Sequence, residues 1–141
     1  MIATLEQWYG VHTLFVRYAS ALDEGDVEGI VACFTEDASL ESPVIGVFTG
    51  AVEVRRFAER MASLKHDKGV QLRHLLTNLS VQMQDDRAHA HCYLLPCLTR
   101  AGKSRLLPPS QYECWLRSGP EGWLFERRIV RADHAYDLDE M

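Results

Sequence analysis

Six histidines, four cysteines and an arginine-rich last segment are the side chains through which this chain could do chemistry. His89 and His91 alternate along one strand-like stretch and therefore share a face, from which two imidazoles could grip a metal ion. No third ligand is spaced to join them, so solvent exposure accounts for the pair and no metal is expected. Cys33, Cys92, Cys97 and Cys114 sit in apolar or strand-like surroundings without CxxC spacing, which predicts buried free thiols rather than a disulfide frame or a zinc knuckle. Tyr18 lies on an apolar helical stripe, where packing is its default role and a hydroxyl aimed into a pocket is the alternative. Arg127, Arg128 and Arg131 fall on an alternating segment, Arg128 on the opposite face from the other two. Solvation or pairing with Glu113 and Glu126 is their ordinary explanation. On spacing alone, Asp23 ends a helix and His74 begins a strand. His12, His66 and His134 have no identifiable partner.

The elements that must carry these groups follow from periodicity. Trp8, Val11, Phe15, Tyr18 and Leu22 recur in steps of three and four, which predicts a long amphipathic helix over the first 22 residues or so. Gly25 suits the left-handed position after a helix, and Asp26 can cap a second, short helix around Val27 to Phe34. Ala38 to Glu41 and Val47-Phe48 read as short strands separated by Ser42-Pro43 and Gly46. Val54, Phe57, Met61 and Leu64 repeat the helical spacing and predict a third helix closed by Lys68-Gly69. Beyond it lie four strand-like segments, Gln71 to Gln84, Arg87 to Arg100, Ser104 to Arg117 and Trp123 to Asp133. The short breaks between them predict an antiparallel meander. Pro96 and Pro108-Pro109 cannot donate ladder hydrogen bonds, so bends or bulges are expected there. Helices first and a long sheet second is the order of an α+β domain, here one domain over residues 1–141 with a small-molecule pocket between its layers.

Composition narrows the partners. The chain has 141 residues, 47% hydrophobic, with a formal charge of −5. That offers no basic field for nucleic acid or anionic lipid. The first residues lack a basic flank and a sustained apolar run, and no stretch is long enough to span a membrane. A cytoplasmic location is expected.

The segments Tyr18-Ala19-Ser20-Ala21-Leu22-Asp23-Glu24-Gly25-Asp26, Cys33-Phe34-Thr35-Glu36-Asp37-Ala38 and Thr49-Gly50 resemble the opening of a SnoaL-like domain of the NTF2-like superfamily. Arg73-His74-Leu75-Leu76-Thr77-Asn78 is similar to that family's first long strand, and Gly122 to Arg128 to its last. The resemblance implies a cone of three N-terminal helices packed on a strongly curved, mostly antiparallel sheet that encloses a pocket. The superfamily hosts many reactions, so particular residues must choose among them. In the branch with scytalone dehydratase, bile-acid dehydratase and a dehydrochlorinase, an aspartate ending the first helix pairs with a histidine on the first long strand. Asp23 and His74 match those positions, and Tyr18 matches a tyrosine of the two dehydratases.

Such a pair makes chemical sense, because a carboxylate holding one imidazole nitrogen fixes the tautomer and frees the other nitrogen to take a proton. The resemblance thus implies catalytic Asp23, His74 and Tyr18, with substrate bound by Asn78, Cys92, Arg128, Phe57 and Met61. Asn78 shares the His74 face in simple alternation, together with Leu76 and Ser80, while Leu75, Leu79, Val81 and Met83 share the other. Cys92 replaces a second dehydratase histidine, and Arg128 matches an arginine of the dehydrochlorinase. Ketosteroid isomerases share the outline, but their base position is Ser42 here and their oxyanion acid is Gln111, which disfavours that mechanism. Glu41 is a reserve candidate. The function implied is a cofactor-independent lyase or isomerase for a small hydrophobic carbonyl compound of polyketide, aromatic or terpenoid type. The alternatives are a β-subunit-like protein of a ring-hydroxylating dioxygenase, which the Trp123 to Asp133 segment also resembles, or a binding protein without turnover. A homo-oligomer, dimer or trimer, is expected through the open sheet face, with Trp115 marking the contact.

Overall fold

The computed structural model describes residues 1–137. Helix α1 runs Leu5–Glu24, α2 Val27–Val31 and α3 Gly50–His66. Strand β1 is Phe34–Ser42, β2 Gly46–Thr49, β3 Gln71–Gln84, β4 Arg87–Arg100, β5 Lys103–Leu106, β6 Ser110–Gly119 and β7 Gly122–Ala132. Thr4 and Gln7 close a reciprocal capping box at the start of α1, which satisfies backbone donors that the first turn leaves free. Gly25, at φ 67°, ends the helix in the left-handed conformation, and its N–H returns to Ala21 and Leu22. Asp26 then caps α2 through Gly29 N–H. That second helix is shorter than the spacing predicts, because Phe34 already belongs to β1.

The strands form a curved, unclosed sheet in the order β2-β1-β7-β6-β4-β3, with β5 also paired to β4. The expected meander holds for β3, β4, β6 and β7, but β1 joins β7 in parallel and extends the sheet toward the helices. Pro108-Pro109 splits the expected third long strand into β5 and β6. Pro96, by contrast, produces no break. It pairs with His74 on one side, and on the other it sits where the partner of β4 changes from β6 to β5. The donor it lacks is not needed there, while its carbonyl accepts Leu107 N–H at 2.8 Å. Helices α1 and α3 lay their apolar stripes on the inner sheet face. Phe15, Tyr18, Phe34, Tyr112 and Phe125 meet there in edge-on and tilted ring contacts.

Bulges on β3 and β7 break the strict alternation of inner and outer residues beside the site. On β3, Thr77 pairs with Tyr93 and Ser80 with His91, so Asn78 and Leu79 together face Cys92. Leu72, His74 and Leu76 turn inward before this point, and Leu79, Val81 and Met83 after it. The two alternating sets of β3 therefore both contribute to the interior, in succession. On β7, Phe125 pairs with Leu116 and Arg127 with Trp115, which leaves Glu126 as the extra residue and brings both Phe125 and Arg128 inward. Asn78 adopts φ 61°, a conformation that asparagine tolerates and β-branched residues resist. Asn78→Val is expected to lower stability by about 1–2 kcal/mol, read as a lower urea midpoint, while Asn78→Gly stays near wild type.

Candidate active site

The last turn of α1 points Asp23 at the first half of β3. Asp23 Oδ1 lies 2.6 Å from His74 Nδ1, and both carboxylate oxygens lie 3.2 Å from the His74 backbone N–H. That N–H is available because β3 is the end strand of the sheet and, among the described residues, no strand pairs with its outer edge at His74. Gln71 fastens the junction, its side-chain amide donating to the Asp23 carbonyl at 2.9 Å and to that of Leu72 at 2.8 Å. The side chains of His74 and Asp23 are only 8% and 13% exposed, so solvent competes little for the contact. With the Nδ1 proton donated to the carboxylate, Nε2 carries the lone pair and can act as a base.

His74 forms part of two hollows. One is an inner cavity of about 50 Å³, bounded by Leu22, Phe57 and Met61 from the helices and by Leu72, Tyr112 and Arg128 from the sheet, with Tyr18 among its walls. The other is a groove of about 410 Å³ between α1 and β3, lined by Trp8, Phe15, Asp23, Leu76, Asn78 and Cys92. The structure thus groups Tyr18, Arg128, Phe57 and Met61 with His74 in the inner cavity and puts Asn78 and Cys92 in the groove. Asn78 is exposed, so the expected shared face with His74 gives way to a place at the bulge.

Two residues of the inner cavity's lining carry buried polar atoms, the Tyr18 hydroxyl and Arg128 Nε, that have no hydrogen-bond partner among the described residues. Buried polar groups are otherwise almost always paired, which singles these two out. Burial, only partly offset by the positive Arg128, pushes the Tyr18 phenol well above its ordinary range, and the same holds for Tyr112. Both therefore remain hydrogen-bond donors at any physiological pH. The Arg128 guanidinium lies 4.8, 5.2 and 5.6 Å from the ring centres of Tyr112, Tyr18 and Phe57. Among the described residues no carboxylate forms an ion pair with it. Its charge rests on aromatic faces and remains available to an anion or a polarised oxygen. Burial pushes the Cys92 thiol up to about 12, so Cys92 is a wall and not a nucleophile.

Tyr112 is the inward residue that sequence reasoning missed. Gln111, matched to the isomerase oxyanion position, faces solvent, and its neighbour occupies the cavity. Alternation across Gln111-Tyr112-Glu113, with Cys114 buried, was the available signal. Glu41 points outward to Arg127, 3.8 Å away, and Arg131 pairs with Glu113 at 2.7 Å. Glu126 pairs with Arg87 at 2.6 Å. Trp115, expected as an exposed contact, is half-buried, stacked on His89 and covered by Arg127.

The family model for the SnoaL-like domain matches residues 3–129. No protein of curated function matches the sequence. Among solved structures, Rv3472 of Mycobacterium tuberculosis, described as a protein of unknown function, is 28% identical, with a TM-score of 0.78 over 92% of this chain and 75% of its own. A Catenulispora acidiphila protein in complex with S-DNPA is 26% identical, with a TM-score of 0.80 over 92% of this chain and 96% of its own. ActVI-ORFA of Streptomyces coelicolor is 22% identical, with a TM-score of 0.82 over 94% and 99%, a likeness of fold.

Proposed function

The chain belongs to the SnoaL-like family, whose NTF2-like members include polyketide cyclases and dehydratases, and on that premise we propose that it is a cofactor-independent lyase or isomerase for a small hydrophobic carbonyl compound. One observation carries this proposal. The Asp23–His74 contact of 2.6 Å adjoins a mostly apolar cavity lined by Tyr18 and Arg128, whose hydroxyl and Nε are buried without a partner among the described residues. His74, Tyr18 and Arg128 thus line one mostly apolar cavity, which supports a base and an electrophile acting on the same substrate.

In the proposed reaction His74 Nε2 removes the proton next to the carbonyl, and the C–H electron pair moves onto the carbonyl oxygen. Tyr18 donates a hydrogen bond to that oxygen, and Arg128 balances its charge. Asp23 stabilises the imidazolium. Collapse of the enolate then expels a β-hydroxyl, which leaves as water with the proton held on His74. In this reading the substrate's carbonyl end enters the inner cavity and its apolar body lies in the larger groove, since His74 lines both. Turnover of β-hydroxy ketones of aromatic or polyketide type, followed by the rise of enone absorbance, is the test. Wild-type protein is expected to turn over at least one of them, and His74→Ala to lose at least 100-fold in kcat. Equal activity in the two proteins would remove His74 from the mechanism. Tight binding without turnover in wild type would favour a carrier.

Two further readings belong to the same proposal. Leu75 and Leu95 pair directly and, with Tyr93, leave an exposed apolar patch on the outer face, which supports a dimer or trimer. The free cysteines suit a reducing compartment, which supports a cytoplasmic location. Among the described residues no helix is long and apolar enough to cross a membrane.

A further inference from the structure

On the outer face of the sheet, opposite the cavity, His89 and His91 of β4 meet Glu113 of β6. The register brings them together, since His91 pairs directly with Glu113 and His89 with Trp115 on the same face. Glu113 Oε2 lies 2.8 Å from His89 Nε2 and 3.3 Å from His91 Nε2. The three ligand atoms fall within 4.8 Å of one another. Around a tetrahedral ion with bonds near 2.0–2.1 Å, ligand atoms stand about 3.3 Å apart, so small side-chain rotations close the site.

We propose that His89, His91 and Glu113 bind a divalent transition-metal ion, Zn²⁺ in the first instance, with a fourth position open to water. Two imidazoles and one carboxylate suit zinc, whereas calcium and magnesium favour all-oxygen sets. The surroundings hold the donors in place. His89 is stacked on Trp115 at 4.9 Å, and Arg127 covers the far side of that indole at 4.8 Å from its centre. Arg131 NH1 grips Glu113 Oε1 at 2.7 Å, which orients the carboxylate and leaves Oε2 for the ion. Same-strand spacing concealed the site, because its third ligand comes from the neighbouring strand. The two nearby arginines oppose a cation electrostatically and weaken its binding.

Calorimetric titration of tag-free, full-length protein with ZnCl₂ tests the site. One ion per chain is expected, with a Kd of about 1–10 μM. His89→Ala and His91→Gln are each expected to weaken binding at least tenfold, with circular dichroism confirming the fold. His134→Ala, at an exposed position remote in sequence, leaves binding unchanged. Failure of wild-type protein to bind, or unchanged binding in the double variant of His89 and His91, overturns the proposal. Equal loss in His134→Ala does so too. None of these outcomes bears on His74 in the inner cavity.

Discussion

Asp23→Asn is expected to lower kcat by about 10³–10⁴-fold with little loss of stability. The aspartate carboxylate accepts from both the ring Nδ1–H and the backbone N–H of His74. An asparagine oxygen can still accept the backbone N–H, so the end of α1 stays attached to β3. Its amide, however, donates to Nδ1, drives the ring proton to Nε2 and removes the lone pair that would act as the base. The histidine remains in place in the wrong tautomer. Nitrogen-15 NMR of the imidazole reads this without any substrate. Wild type is expected to carry its proton on Nδ1 and the variant on Nε2. An unchanged tautomer, or an unchanged rate on a confirmed substrate, would show that the carboxylate does not set the state of the ring. Asp23→Ala tests the other half of the contact. It leaves a shielded N–H without a partner and is expected to cost about 1–3 kcal/mol.

Arg128→Met is expected to separate stability from activity. Burying a guanidinium costs several kcal/mol, and each ring contact returns about 0.5–2 kcal/mol. The three rings around Arg128 therefore come near to offsetting the burial, and a methionine of similar length fills the space without the electrostatic cost. The variant is expected to be no less stable than wild type, and more stable by up to about 3 kcal/mol, in urea denaturation. Its kcat/KM is expected to fall by about 10²–10³-fold as the developing oxyanion loses its counter-charge. A strongly destabilised variant would make Arg128 a structural residue, and an active one would leave Tyr18 as the sole electrophile.

Much of the scaffold was legible in the sequence. The stripes of α1 and α3 and the turns between the long strands are written in apolar spacing, since each element must bury one face. The direction of the chemistry-bearing residues was not. Alternation alone puts His74 and Val81 on opposite faces of β3, yet both are inside, because the bulge at Asn78 and Leu79 lies between them. Arg128 is turned inward by the same device at Glu126. An asparagine, tolerant of positive φ, hinted at the first bulge, whereas nothing local announced the second. Pro96 misled in the other direction: its lost donor matters only where a neighbour needs it, and strand order decides that. Gln111 and Tyr112 show how a shift of one residue in a matched position exchanges a solvent-facing amide for a buried phenol.

Tyr18 and Asp23 both belong to α1, five residues apart, so about 7.5 Å of helical rise separates them. In the proposed mechanism a single rigid rod therefore carries both the electrophile and the group that orients the base, and helix geometry sets their spacing. Phe57 and Met61 come from α3, and Tyr112 from the sheet. Single substitutions at these three would reshape the volume without touching Asp23 or His74. Under the proposed mechanism such a division would let new substrate preferences evolve in small steps, each variant inheriting a working base from its parent.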